Sequence, residues 1–144
     1  MTETIQRLAG MAERFVPAEN IQTYEAGFAI NIDGTDINFF SPGEGAYAGY
    51  CRACIAELGE KTFPDGFAEE ALNGNFFWRG TSGAVVSYEP DGNAVYLTDR
   101  FDEGAFADED ALRDFIEGFM RTLGDWRTRL GLYLDNSAEA KEVL

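Results

Sequence analysis

The chain has 144 residues, enough for one domain with a sizeable core, and its 11 basic and 26 acidic residues leave a net charge of 11 − 26 = −15. A field of that sign repels phosphate backbones and anionic lipid, so nucleic acid and membrane surfaces are poor partners and a basic or neutral polypeptide is a better one; the same charge also serves solubility alone. Twenty aromatic residues (12 Phe, 6 Tyr, 2 Trp) supply much apolar surface and argue against disorder.

The first residues, Met1 to Arg7, carry no basic segment followed by an apolar run, so no secretory signal is expected. No stretch approaches the roughly 18 apolar residues of a membrane span. A soluble, cytoplasmic protein is expected. Residues 2–15 read as an amphipathic helix, with Ile5, Leu8, Met11 or Ala12, and Phe15 at helical spacing. Thr2 or Thr4 caps it, and Pro17 stops it.

Alternation follows. Tyr24, Ala26, Phe28, Ile30 and Ile32 share one face of a half-buried strand, and Asp33-Gly34 turns it into a second strand over residues 36–40. Residues 41–45 form a loop. Residues 46–58 read as a third strand, although 53–58 also suit a helix. A short helix is expected over residues 65–73, with Asp65 as N-cap and Phe67, Ala71 and Leu72 as its apolar side. Two further strands, 84–88 and 93–98, are joined through Glu89-Pro90-Asp91-Gly92.

The last helix is the clearest element. Asp108, Glu109 and Asp110 set negative charge at its start, where the dipole favours it. Leu112, Phe115, Ile116, Phe119, Leu123, Trp126 and Leu130 form one stripe at three- and four-residue steps. Gly131 is its expected cap. The predicted fold is therefore α+β, an antiparallel sheet flanked by helices in the order α-β-β-β-α-β-β-α. Residues 1–131 form a single domain and 132–144 a polar tail.

No catalytic set is legible. The chain has no histidine, which excludes Ser-His-Asp and Cys-His pairs. Ser82 in Gly80-Thr81-Ser82-Gly83 does not fit a nucleophile elbow, and no phosphate-binding loop exists. The acidic clusters at 99–103 and 108–110 lack the spacing of a calcium loop. Cys51 and Cys54 have Cys-x-x-Cys spacing, but no second pair completes a zinc set. On a strand, positions three apart face opposite sides, so two ordinary reduced thiols are expected. No enzyme, cofactor or metal is expected.

Phe76-Phe77-Trp78 carries more weight. Three consecutive large aromatics on an extended segment cannot all face one core. Either both faces are covered within the chain, or a partner covers one.

The run Leu72 to Trp78 is followed by Gly80-Thr81-Ser82-Gly83-Ala84, a Pro90-Asp91-Gly92 hairpin, and a late helix ending Trp126-Arg127-x-x-Leu130. With the element order, these motifs resemble the class I chaperones of bacterial type III secretion, the CesT or Tir-chaperone family. The likeness covers nearly the whole chain by layout and about 72–130 by residues. It implies a homodimer that binds an extended N-terminal segment of a secreted effector protein and keeps it secretion-competent. It also implies a dimer contact built by the middle helix and fourth strand, with Phe67, Leu72, Phe76, Trp78 and Val85 as its residues. Ile5, Leu8, Phe28, Ile30 and Phe39 are implied as effector-binding patches, or else as core. Cys51, Cys54 and the glycine-rich stretch 43–49 depart from the resemblance. A second reading is a cytoplasmic regulator of the YbjN type, with the same fold and no secretion role. A third, a small-ligand or enzymatic domain, requires a convergent polar pocket that the sequence does not display.

Overall fold

Thr2 begins the first helix by capping: its hydroxyl accepts from the Ile5 amide at 3.3 Å, satisfying one of the free N–H groups of the first turn. The computed structural model that contains this contact describes the backbone of residues 1–43 and 45–143 and the side chains through Asp135. Glu44 of the predicted 41–45 loop lies outside the described residues. So do the side chains of the expected tail from residue 136 onward.

The elements run α1 (Glu3–Ala12), β1 (Ile21–Thr23), β2 (Gly27–Ile32), β3 (Thr35–Phe40), β4 (Gly49–Glu57), α2 (Phe67–Asn75), β5 (Val85–Glu89), β6 (Ala94–Phe101) and α3 (Glu109–Val143). Short 3-10 turns occupy Ala18–Asn20 and Phe76–Trp78. The strands make one six-stranded sheet in the order β1-β2-β3-β4-β6-β5, and the fold class is α+β as expected. β1 is an addition to the predicted order: three residues are too few for a readable alternation. By contact, the chain divides into two compact units, Met1–Ala53 with Thr98–Gly118, and Cys54–Leu97 with Phe119–Leu144.

In the first unit, Asp33 and Gly34 both take positive φ (51° and 85°), as a tight hairpin requires. That turn fixes the register Phe28↔Phe39 and Ile30↔Ile37, and all four side chains are fully buried. The rings of Phe28 and Phe39 stack at 5.2 Å. α1 adds Ile5, Leu8, Ala9 and Ala12, so Ala12 rather than Met11 completes its apolar stripe. Leu112 and Ile116 of α3 add to the same core. Burial of each such large side chain contributes about 1.5–3 kcal/mol.

The second unit is built on Trp126. Its ring is fully buried, meets Phe67 edge-on at 6.0 Å, and donates its indole N–H to the Gly80 carbonyl at 2.9 Å. Gly74 is needed beneath it, since a Cβ there would lie 2.5 Å from Trp126 Cζ2. β4 remains a strand through Glu57, which settles the open choice at 53–58. Towards its end, the carbonyls of Cys54 and Ile55 accept from the Arg127 guanidinium at 2.8 and 3.1 Å.

Three local expectations change. α2 starts behind Gly66, not Asp65, because the chain enters with φ 85°, a conformation open to glycine. Only Phe67, Ala71 and Gly74 of α2 are buried; Leu72 points away from the core. α3 runs through Gly131 to Val143, so that glycine is no cap. Its N-terminus is capped as charge predicts, by Asp108 accepting from the Ala111 amide at 2.9 Å.

Candidate docking surface

The aromatic run after α2 is not a strand. Phe76–Trp78 is a 3-10 turn in which Phe77 (φ 50°, ψ 26°) and Trp78 (φ 57°) sit in the left-handed region. Each such residue with a Cβ costs about 1–2 kcal/mol. The turn is held by backbone bonds from Arg79 N to Phe76 O, Gly80 N to Gly74 O and Gly83 N to Trp78 O. The buried Thr81 hydroxyl also donates to the Ala84 carbonyl. Asn75 clamps the turn to β5, its side-chain amide exchanging two 2.9 Å bonds with the backbone of Val86. Part of the β5 edge is thereby occupied.

These constraints put apolar side chains in solvent. Leu72 is 72% exposed, Phe76 59%, Phe77 67% and Trp78 45%. Phe76 and Phe77 meet edge-on at 4.6 Å, and the Arg79 guanidinium lies 5.9 Å from the Phe76 ring centre. An open hollow of about 680 Å³ adjoins them, lined by Glu69, Glu70, Leu72, Asn73, Phe76 and Tyr133, with Gly66 at its edge. Glu70 pairs with Arg129 at 3.8 Å. Strained, exposed, clustered aromatics are the physical mark of a docking site.

Of the residues expected at a dimer contact, Leu72 and Phe76 line this hollow together, and Trp78 is exposed in the turn that follows. Phe67 instead lies in the core against Trp126, and Val85 is half-buried on β5. Phe77 belongs to the cluster although it was not among those expected, because its left-handed backbone cannot be read from periodicity. Ile5, Leu8, Phe28, Ile30 and Phe39, given above as effector patches or core, are all fully buried in the first unit's core.

That unit has its own groove, of about 390 Å³. Phe15, Val16, Pro17, Ile32 and Ile116 supply its apolar wall, and Arg113 stacks on Phe15 at 4.9 Å. Phe15 and Pro17 read in sequence as the end of a helix, which hid this role.

Cys51 is buried and Cys54 half-buried, and both are free thiols. They sit at opposite phases of the burial alternation along β4. Burial, reinforced by the nearby Asp99 carboxylate, pushes the Cys51 thiol well above its usual range, so it stays neutral. Among the described residues, no group of His, Cys, Asp and Glu could hold a metal, and no helix is long and apolar enough to cross a membrane.

A model of the Tir chaperone protein (CesT) family matches residues 50–127, which include the whole aromatic surface from Gly66 to Val86. No curated protein matches the chain. Among solved structures, the chain is similar to one chain of the heterodimeric complex ExoU-SpcU from the type III secretion system of Pseudomonas aeruginosa. The identity is 14% and the TM-score 0.55, over 85% of this chain and 92% of that one. A likeness at that identity speaks for the fold.

Proposed function

Because the chain belongs to the Tir chaperone protein (CesT) family, we propose that it is a type III secretion chaperone. It binds an extended N-terminal segment of a secreted effector, keeps it secretion-competent, and catalyses nothing. It works as a homodimer. The observation that carries this reading is the solvent-exposed cluster of Leu72, Phe76, Phe77 and Trp78 within the family-matched span. A monomeric protein rarely leaves such a cluster uncovered without a binding role.

The buried positions Ile5, Leu8, Phe28, Ile30 and Phe39 hold the scaffold together, and the effector docks nearby rather than on them. In the first unit, the groove walled by Phe15, Val16, Pro17 and Ile116 accepts apolar effector side chains. β1, at the end of the sheet, adds main-chain bonds by strand addition.

Two measurements test the proposal. Light scattering at micromolar concentration should give 2 × 15.9 = 31.8 kDa. Pull-downs with N-terminal fragments of candidate secreted proteins should retain a specific fragment at both low and high salt. Binding only of folded proteins or small molecules, or binding lost entirely at modest salt, removes the chaperone assignment.

A further inference from the structure

Along β3 and β4, buried and open side chains alternate. The register Asn38↔Arg52 and Phe40↔Tyr50 sets the open ones side by side on the outer face of the sheet. There they form a connected row. The Arg52 guanidinium lies 5.5 Å from the Phe40 ring centre, and Phe40 meets Tyr50 at 5.8 Å. Tyr50 meets Tyr47 at 6.3 Å, and the Arg100 guanidinium lies 5.6 Å from the Tyr47 ring centre. Three rings are thus bracketed by an arginine at each end. Tyr47 and Arg52 are exposed, and Phe40, Tyr50 and Arg100 are half-buried. All five residues belong to the first unit, and none lines its groove.

We infer that this row binds an extended, proline-rich polypeptide segment with an acidic residue near each end. The row shares no residue with the groove or with β1, to which the effector is assigned, so it stands whether or not the chaperone reading holds.

Backbone, spacing and charge select this occupant. β3 is paired along both edges, by β2 and by β4, so strand addition has no free main chain to use here. A ligand must instead bring apolar rings and hydrogen-bond acceptors of its own. A polyproline II chain brings both: its rings pack on aromatic faces, and its carbonyls make no internal hydrogen bonds. Donors stand along the row in the Arg52 and Arg100 guanidinium groups and the Tyr47 and Tyr50 hydroxyls. Such a chain advances about 3.1 Å per residue, so alternate residues lie about 6 Å apart, close to the 5.8 and 6.3 Å between successive rings. On a chain of net charge −15, this row ends in two cations. Nearby acids are engaged: Asp99 lies 3.8 Å from Arg100, and Asp36 accepts from the Asn31 amide at 2.9 Å. At about 0.15 M salt the Debye length is about 8 Å, so a ligand carboxylate senses the adjacent arginine more than distant acids. Single-stranded nucleic acid also stacks on open rings, but its phosphates would meet the −15 field with only these two arginines to offset it.

The test is fluorescence anisotropy of a labelled hexaproline peptide flanked by aspartates, titrated with the full chain at about 0.15 M salt. Binding should saturate. Lysine flanks, or glycine and serine in place of the prolines, should each weaken it about tenfold or more. Tyr47→Ala and Arg52→Glu should have effects of about the same size, while Tyr47→Phe, which keeps the ring, should stay within a few-fold of wild type. Far-UV circular dichroism should not change, because Tyr47 and Arg52 are exposed. The absence of saturable binding overturns the inference. So does equal binding of either control peptide, or wild-type affinity in Tyr47→Ala or Arg52→Glu. A single-stranded oligothymidine that binds more tightly than the peptide also overturns it, and makes the row a base-stacking surface.

Discussion

Replacing Gly74 with Ala tests whether the α2–Trp126 contact organises the second unit. In an ordinary helix the change stabilises by up to about 1 kcal/mol. Here the added methyl would sit 2.5 Å from Trp126 Cζ2 and 2.7 Å from Cη2. Carbon contacts settle at about 3.5–4.0 Å, so a fully buried ring must retreat by roughly 1 Å. Overpacking of that kind costs about 1–3 kcal/mol. The retreat also stretches the 2.9 Å bond from the indole to the Gly80 carbonyl. A buried N–H left unpaired adds about 1–3 kcal/mol. Net of the helix gain, Gly74→Ala should destabilise by roughly 1–5 kcal/mol. Gly124→Ala is the internal control: it lies in α3, and a Cβ added there would meet nothing within 4 Å, so it should stabilise by up to about 1 kcal/mol. Urea unfolding followed by far-UV circular dichroism reads both. Equal signs for the two variants, or a Gly74→Ala protein as stable as wild type, would refute the packing argument.

Phe119→Ala removes a buried ring from the α3 stripe and should cost about 3–5 kcal/mol, leaving a thermal transition at or near physiological temperature; an unchanged melt would place that stripe in solvent. In the native protein at neutral pH, iodoacetamide should label Cys54 and spare Cys51 until the chain is denatured. The Cys51 thiol holds its proton more tightly folded than unfolded, so its contribution to stability is complete below about pH 9 and is lost as pH rises beyond it; urea melts at pH 8 and 10 check the sign. Burial, against the weaker pull of Arg100, raises the Asp99 carboxyl above its usual 3.8. Its ionisation therefore detracts from stability at neutral pH, and Asp99→Asn should be the more stable protein at pH 7, with the gap closing near pH 3.

What the sequence made legible follows from periodicity. The α3 stripe, the Asp33-Gly34 hairpin and the inward face of Phe28 and Ile30 were readable because one side of each element is buried and the other is not, whereas Tyr24 and Ala26, read on that same face, precede β2 and are exposed. β1 was not, since three residues cannot display a period. Gly131 misled because a glycine signals a helix end only when the following chain departs, and here it continues helically to Val143. The docking surface was half legible. The composition of Phe76-Phe77-Trp78 announced surplus apolar area, yet its left-handed turn depends on bonds to Gly74, Gly80 and Asn75 that no local pattern encodes. Phe67, Ala71 and Leu72 were read as one apolar side of the short helix, and the family resemblance implied a dimer contact for Phe67 and Leu72 alike. On a helix Phe67 shares a face with Ala71, four residues on, while Leu72, five residues on, is turned away from it. The core took Phe67 and Ala71, and Leu72 was left outside.

The charge of the chain leads to opposite salt responses for the second copy and the effector. Self-association brings two chains of −15 together, and this repulsion acts over distances comparable to the Debye length, about 30 Å at 0.01 M salt and 10 Å at 0.1 M. Added salt in that range shortens its reach sharply. The apolar contacts of Leu72, Phe76, Phe77 and Trp78 are untouched, and any exposed ion pair at the contact is worth only about 0–1 kcal/mol to begin with. Dimerisation should therefore tighten as salt rises from 0.01 to 0.15 M. Capture of a basic effector segment is steered by the same field acting attractively, so its on-rate should fall over that range while its apolar part persists. Sedimentation of the dimer and stopped-flow capture of a labelled fragment, run across one salt series, measure both. A dimer that weakens steadily with salt would mean that paired charges, rather than buried rings, hold the copies together. An on-rate indifferent to salt would mean that the acidity serves solubility alone.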